Sequence, residues 1–261
     1  MKIITSVVNN PTFIEIQFHT LKKYFKGEYE FIVFNDAKNY PDFTNGGDVT
    51  IKNQIEKICS DLDIECINVD NNHHIRLGMS SRHADTFNKH VLKYQLNNPD
   101  EYLMIDSDMF LIDTFDIDKY SKFDAAIVLQ KRQNEEYLWP GLCYLNMNKI
   151  KHFELINWSL LPGFDSGGMT KNWLKKQNYN DIYFIDHLSS CKWNENKIPK
   201  TMKNNNKLIA FLQNDERNQN DNFFCEIYDD VFLHYRAGGN WRREGLDLHK
   251  SMSIKLKKCL L

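Results

Sequence analysis

The first hundred residues alternate apolar runs of strand length with segments of helical period, and few architectures accommodate that order. Parallel strands buried on both faces read as continuous apolar runs, and joining them requires a crossover, usually a helix. The alternation therefore predicts an α/β fold with a central, mostly parallel sheet flanked by helices. Lys2 to Val8 forms the first strand. A helix follows over about 11 to 25, with Asn10 as N-cap, Pro11 at its first position, and Phe13, Ile16, Leu21 and Phe25 near one face. Phe31 to Phe34 is a second strand, Lys52 to Leu62 a helix and Ile64 to Val69 a third strand. Ser80 or Ser81 caps a further helix that buries Ala84, Phe87, Val91, Leu92 and Tyr94, and Tyr102 to Ile105 is the most strand-like run of all.

After residue 114 the regularity falls. Strands are expected at Ala125 to Leu129, Leu142 to Leu145, Leu208 to Leu212 and Val231 to Tyr235, separated by irregular stretches suited to binding loops. The tail, Leu246 to Leu261, suits a basic amphipathic helix packed on its own domain. With 261 residues, 42% of them hydrophobic, the chain suffices for one large core, so a single domain is expected. Its halves are residues 1–113, placed to bind a ligand at the strand ends, and 114–261, carrying the irregular loops and the tail helix.

Charge excludes one class of partner. Lys+Arg 33 against Asp+Glu 35 leaves a net charge of -2, too balanced for the basic footprint of a duplex nucleic-acid binder. The six cysteines contain no CxxC pair and read as reduced core thiols. The N-terminal apolar run is too short for a signal peptide and no stretch is long enough to span a bilayer. A soluble cytoplasmic protein, at most peripheral to a membrane, is expected.

The chemistry concentrates at Asp106-Ser107-Asp108, where the strongest strand ends. Two carboxylates one residue apart point the same way in an extended chain, and together they offer oxygens to a hard divalent cation, Mg or Mn, that can bridge phosphates. Asp36 ends the second strand and Ser6 lies in the first, so both belong to the edge where open α/β sheets bind ligands: Asp36 for a base or ribose, Ser6 for the pocket wall. Arg82 and His83 sit in a helix first turn, where a base is electrostatically misplaced unless it faces a phosphate. Phe164-Asp165-Ser166-Gly167-Gly168 sets an acid beside two glycines. Asp165 is the first candidate for a general base or ligand-positioning acid and Asp186 the second. Of Trp139, Trp158, Trp173 and Trp241, only Trp241 is assigned a role stacking on a ligand ring.

The apolar tract from Glu101 to Ile112 around the two acids resembles the DxD region of GT-A nucleotide-sugar glycosyltransferases. Gly141 to Met147 and Phe232-Leu233-His234-Tyr235-Arg236-Ala237-Gly238-Gly239-Asn240-Trp241 fit the same resemblance. In the second stretch His234, Gly238 and Trp241 keep the order of the glycogenin-like retaining families. The resemblance implies a Rossmann-like GT-A fold and metal-dependent transfer of a sugar from a nucleotide donor, UDP-linked by default, to a hydroxyl of a saccharide or other acceptor. It also implies Asp108 as direct metal ligand, Asp106 reaching the metal or ribose, His234 as third ligand, and Ser107, Gly238 and Trp241 near the donor. Asn240 stands where that family has a lysine, so Arg236, Arg242 or Arg243 is expected to hold the diphosphate. Two other readings stay open. One is a phosphohydrolase of the haloacid dehalogenase type, with Asp229-Asp230 as distal acids; the other is a non-catalytic nucleotide-sugar binding protein.

Overall fold

The computed structural model describes residues 1–70, 78–188, 205–218, 224–241 and 245–261. Along the chain run β1 (Lys2–Val7), α1 (Pro11–Tyr24), β2 (Glu30–Asn35), α2 (Ile51–Asp61) and β3 (Glu65–Asn68). Helix α3 (Met79–Thr86) passes through a π-turn, Phe87–Val91, into α4 (Leu92–Asn97). Then come β4 (Glu101–Ile105), β5 (Met109–Leu111), β6 (Ala125–Arg132), β7 (Glu135–Asn146), β8 (Ile182–Phe184) and β9 (His187–Leu188), with α5 (Asn206–Gln213), β10 (Glu226–Tyr228), β11 (Phe232–His234) and α6 (Leu246–Leu260) completing the order.

A seven-stranded sheet runs β8-β6-β7-β4-β1-β2-β3. It is an α/β sheet of mostly parallel strands, with β7 the one antiparallel member. The period of two is visible in its burial. Ile3, Val33 and Leu103 enter one core with α1 and α2, whereas Ile4, Ile32 and Met104 enter another with Phe87, Val91 and Trp158. Each such side chain contributes about 1.5–3 kcal/mol on leaving water. A four-stranded antiparallel sheet, β9-β10-β11-β5, holds a third core with α5 and α6 around Phe13, Phe110, Leu233, Met252 and Leu256. The central sheet crosses residue 113, because β4 pairs with β7 from the second half.

Four local expectations change. Asn10 stands at the N-cap of α1 but in the left-handed region, with no cap bond, and its amide donates to Ser253 Oγ at 2.7 Å on α6. The helix after residue 78 is preceded by Gly78, so Ser80 and Ser81 lie inside it rather than capping it. Leu208 to Leu212 is helical rather than extended: Asn205 caps Leu208 N–H, and Leu208, Phe211 and Leu212 share the buried side at helical spacing. The strand expected at Leu142–Leu145 is longer, because Gln133 and Asn134 both adopt positive φ and close a two-residue hairpin between β6 and β7.

Helix α6 packs against α1 and α5, burying Met252, Leu256 and Leu260, as its period implied. Among the described residues no helix is long and apolar enough to cross a membrane. Cys59, Cys66, Cys143, Cys225 and Cys259 are free thiols; Cys191 lies outside the described residues.

Candidate metal centre and cleft

Strand β4 ends at Ile105 in the large sheet and β5 begins at Met109 in the small one, so Asp106-Ser107-Asp108 is the hinge between the two sheets. It is a turn, not the extended segment expected from alternation. Met109 N–H donates to Asp106 O at 3.0 Å, Asp106 N–H to Gly141 O on β7 at 2.8 Å, and Tyr235 N–H to Asp108 O at 2.8 Å. From α1 the buried Gln17 amide donates to Asp106 O and Met109 O at 2.8 and 3.1 Å, bracing the turn from beneath.

The antiparallel register that sets His234 opposite Met109 delivers its imidazole beside Asp108. Asp106, Asp108 and His234 each present a ligand atom within 4.8 Å of the others, the only such group of three or more among the described residues. Two carboxylates and one imidazole suit a divalent ion of the Mg or Mn type, so the donor set fits the expected metal. His234 Nε2 lies 3.3 Å from Asp108 Oδ1, and Nδ1 lies 3.1 Å from Glu226 Oε2. Burial opposes a charge on His234, but Asp108 and Glu226 outweigh it and its pKa is pushed up to about 10. Burial also acts against ionised Asp108, yet His234 and the Gly238 N–H, 2.7 Å from Oδ2, hold its carboxyl below the ordinary value. Asp106 moves the other way, raised by burial against the pull of His83 and further by neighbouring Asp108.

A cleft of about 370 Å³ opens over this group, within the range of small-molecule sites. Its walls bring together Ser6, His83, Ser107, Asp165 and Arg236 from the residues singled out in the sequence, together with Ser166, Trp139 and Phe224. His83 links the metal group to the 164–168 loop, with Nε2 3.4 Å from Asp106 Oδ1 and Nδ1 3.4 Å from Ser166 Oγ. That loop is pinned to β7: Gly167 adopts φ 92, a Cβ there would meet Leu138 O at 2.1 Å, and Thr170 Oγ1 accepts from Leu138 N–H. Arg236 sits over Phe224, 5.0 Å from the ring centre, with Nε 3.8 Å from Glu226 Oε1.

Other candidates lie elsewhere. Asp36 is fully buried, its carboxylate bound to Lys38 Nζ and Arg82 Nε at 2.8 Å each, and it does not line the cleft. Arg82 is 3% exposed and also grips Asp42 and Thr44, so its charge is spent on the 36–45 loop rather than turned to a phosphate. Asp186 is exposed outside the cleft lining; its backbone accepts from Asp229 N–H and donates to the Asp229 carboxylate. Trp241 belongs to the core, and its Nε1 has no partner among the described residues. The indole in the cleft wall is Trp139, stacked on Tyr228 and tilted against His234 at 5.0 Å between centres. Trp139 pairs with Val128 beside a bulge that leaves Pro140, Gly141 and Leu142 without partners on β6, and only a glycine at 141 fits beneath its ring, since a Cβ would fall 2.1 Å from it. Arg242 and Arg243 lie outside the described residues.

Gly238 does not line the cleft but closes it. A Cβ there would stand 2.6 Å from the Phe13 ring and 2.9 Å from Asp108 Cβ, both in packed positions. Gly238→Ala is expected to cost about 1–3 kcal/mol, the usual range for overpacking, in urea denaturation. The same shift draws the Gly238 N–H from Asp108; an unchanged denaturation midpoint would show that the loop yields freely.

Fold and site together define a class: an α/β protein with an Asp-Asp-His group at the carboxyl edge of a mostly parallel sheet, opening into a polar cleft. No protein-family model and no curated protein matches the chain.

Proposed function

We propose that the protein is a metal-dependent glycosyltransferase with the GT-A arrangement, moving a sugar from a nucleoside-diphosphate donor, UDP-linked by default, to a hydroxyl of a saccharide or other acceptor. The convergence of Asp106, Asp108 and His234 in the lining of the cleft is the observation that carries the reading. Open α/β sheets bind ligands beyond the carboxyl ends of their strands, and this group sits at the end of β4.

A divalent ion held by these three side chains would supply charge neutralisation for the departing diphosphate. Arg236 is the cleft cation on the same side and adds a second positive charge to those oxygens. Ser6 and Ser107 supply hydroxyls to the donor, with His83 beside Asp106 for its phosphates, and Asp165 and Ser166 are left to the acceptor; all five line the cleft. In the reaction the acceptor oxygen bonds to the anomeric carbon as the bond from that carbon to the diphosphate oxygen breaks. The acceptor proton leaves to a base, for which Asp165 is the candidate in the cleft, and the bond electrons go with the nucleoside diphosphate.

The phosphohydrolase alternative has less to stand on. Its distal acid Asp229 accepts from Tyr120 OH at 2.7 Å and pairs with Lys119 at 3.1 Å, outside the cleft lining.

Thermal melting against a panel of nucleotide sugars, with and without Mn²⁺, tests the proposal, since a ligand of the native state raises the midpoint. One donor giving a metal-dependent rise is the expected result. No rise with any donor, alongside turnover of a simple phosphate ester, would replace the transferase with the phosphohydrolase.

A further inference from the structure

Glu226 was not among the residues the sequence singled out, and it does not line the cleft, yet the cleft's metal-facing wall converges on it. Strand β10 sets Glu226 directly across from His234 on β11. Its Oε2 lies 3.1 Å from His234 Nδ1 and accepts from Tyr228 OH at 2.8 Å; its Oε1 lies 3.5 Å from His187 Nε2 and 3.8 Å from Arg236 Nε. The side chain is 15% exposed, and Tyr228 is itself pinned between Trp139 and His187 by stacking at 5.5 and 4.7 Å. A carboxylate held from several directions has little freedom to move, so it acts as a fixed acceptor.

We propose that Glu226 is a positioning residue for the metal centre: by accepting from His234 Nδ1–H it holds the imidazole with Nε2 turned toward Asp108 and the cleft, and it restrains Arg236 on the same wall. The inference rests on the metal reading above and assigns to it a residue outside the ligand set. An imidazole has two ring nitrogens, and the bond made by one decides which is left to coordinate. A hydrogen-bonded carboxylate behind a ligating histidine fixes both its tautomer and its ring angle, and losing such a partner typically weakens metal binding about 10- to 100-fold. Here the ring has no other described hydrogen-bonding partner behind it at Nδ1 than Glu226.

The test is a titration of the full chain with MnCl₂, following free Mn²⁺ by electron paramagnetic resonance, for wild type, Glu226→Ala and Glu226→Gln, with melting in EDTA as the folding control. The expected outcome is a roughly 10- to 100-fold weaker Kd for Glu226→Ala. Glu226→Gln, whose amide oxygen still accepts from Nδ1–H, recovers most of that loss. Should Glu226→Ala fail to fold, Glu226→Asp replaces it: the charge stays, the carboxylate retreats by one methylene, and the affinity still drops. Equal affinity in wild type and the Ala or Asp variant overturns the positioning role and leaves the metal centre standing. Gln and Ala variants that bind equally weakly, both with lowered EDTA melting, reduce Glu226 to a structural residue. A wild type with no affinity for Mn²⁺ removes the metal reading itself, a result separate from the other two.

Discussion

On the proposed transferase reading, Asp108→Asn is expected to abolish the metal-dependent rise in melting temperature with a donor nucleotide sugar and to lower transfer by more than about 10²-fold, beyond what loss of a residue behind a metal ligand costs. Three features concentrate the effect at this position. Asp108 contributes one of only two carboxylates in the metal group, and its Oδ1 sits 3.3 Å from His234 Nε2. It is buried and its Oδ2 accepts from Gly238 N–H, so its carboxylate is held in one orientation. The amide is close to isosteric and its oxygen still accepts from Gly238, so the loop should keep its place while the ligand charge is lost. Melting with and without Mn²⁺, followed by transfer assays with the donor so identified, checks this; a variant whose donor affinity still depends on Mn²⁺ as in wild type would remove Asp108 from the metal group.

How far the sequence reads the site follows from where each residue gets its surroundings. The carboxylates announce themselves because a polar pair after the apolar run Tyr102–Ile105 has a local signature. Why they converge does not follow from that signature. The expectation rested on strand alternation, whereas the chain turns at Ser107 under bonds from Gln17, Gly141 and Tyr235, three distant partners. Asp36 and Arg82 look like ligand-binding groups in one dimension because each sits at a strand or helix end near the binding edge. In three dimensions they find each other across the loop and have no reach left for a ligand.

The aromatic assignment failed for a related reason. Burial of an indole is settled by packing: Trp139 and Trp241 both belong to the first core, and the one that also reaches the cleft is the ring lying against Gly141. Glu226 has a cue in the sequence as well. Cys225-Glu226-Ile227-Tyr228 and Val231-Phe232-Leu233-His234 flank Asp229-Asp230, a hairpin pattern whose pairing places Glu226 opposite His234. The parallel strands were legible because runs buried on both faces have few other homes. The second half was less so: β7 is an antiparallel insertion in a parallel sheet, and the helix Asn206–Gln213 is short enough to pass for an apolar strand.

The second large effect separates folding from catalysis at Asp36. Asp36→Ala is expected to lower stability by about 3–5 kcal/mol in urea denaturation, the range for removing one partner of a buried ion pair. It takes from Lys38 its carboxylate and from Arg82 one of its two, on side chains 1% and 3% exposed. The pH dependence comes from Lys38. Lys38 is already pulled below its ordinary 10.5 by burial, against the pull of Asp36, and without that partner it falls further. The folded variant then binds fewer protons than its unfolded chain below pH 10.5, so its stability rises as pH approaches 10.5 and the gap to wild type narrows. Asp42 keeps one bond to Arg82, which bounds the loss at that end of the network. Where Asp36 instead contacted base or ribose, its removal would weaken donor binding with little change in the urea midpoint; the buried network requires the reverse, a lowered midpoint at neutral pH that recovers in part with alkali.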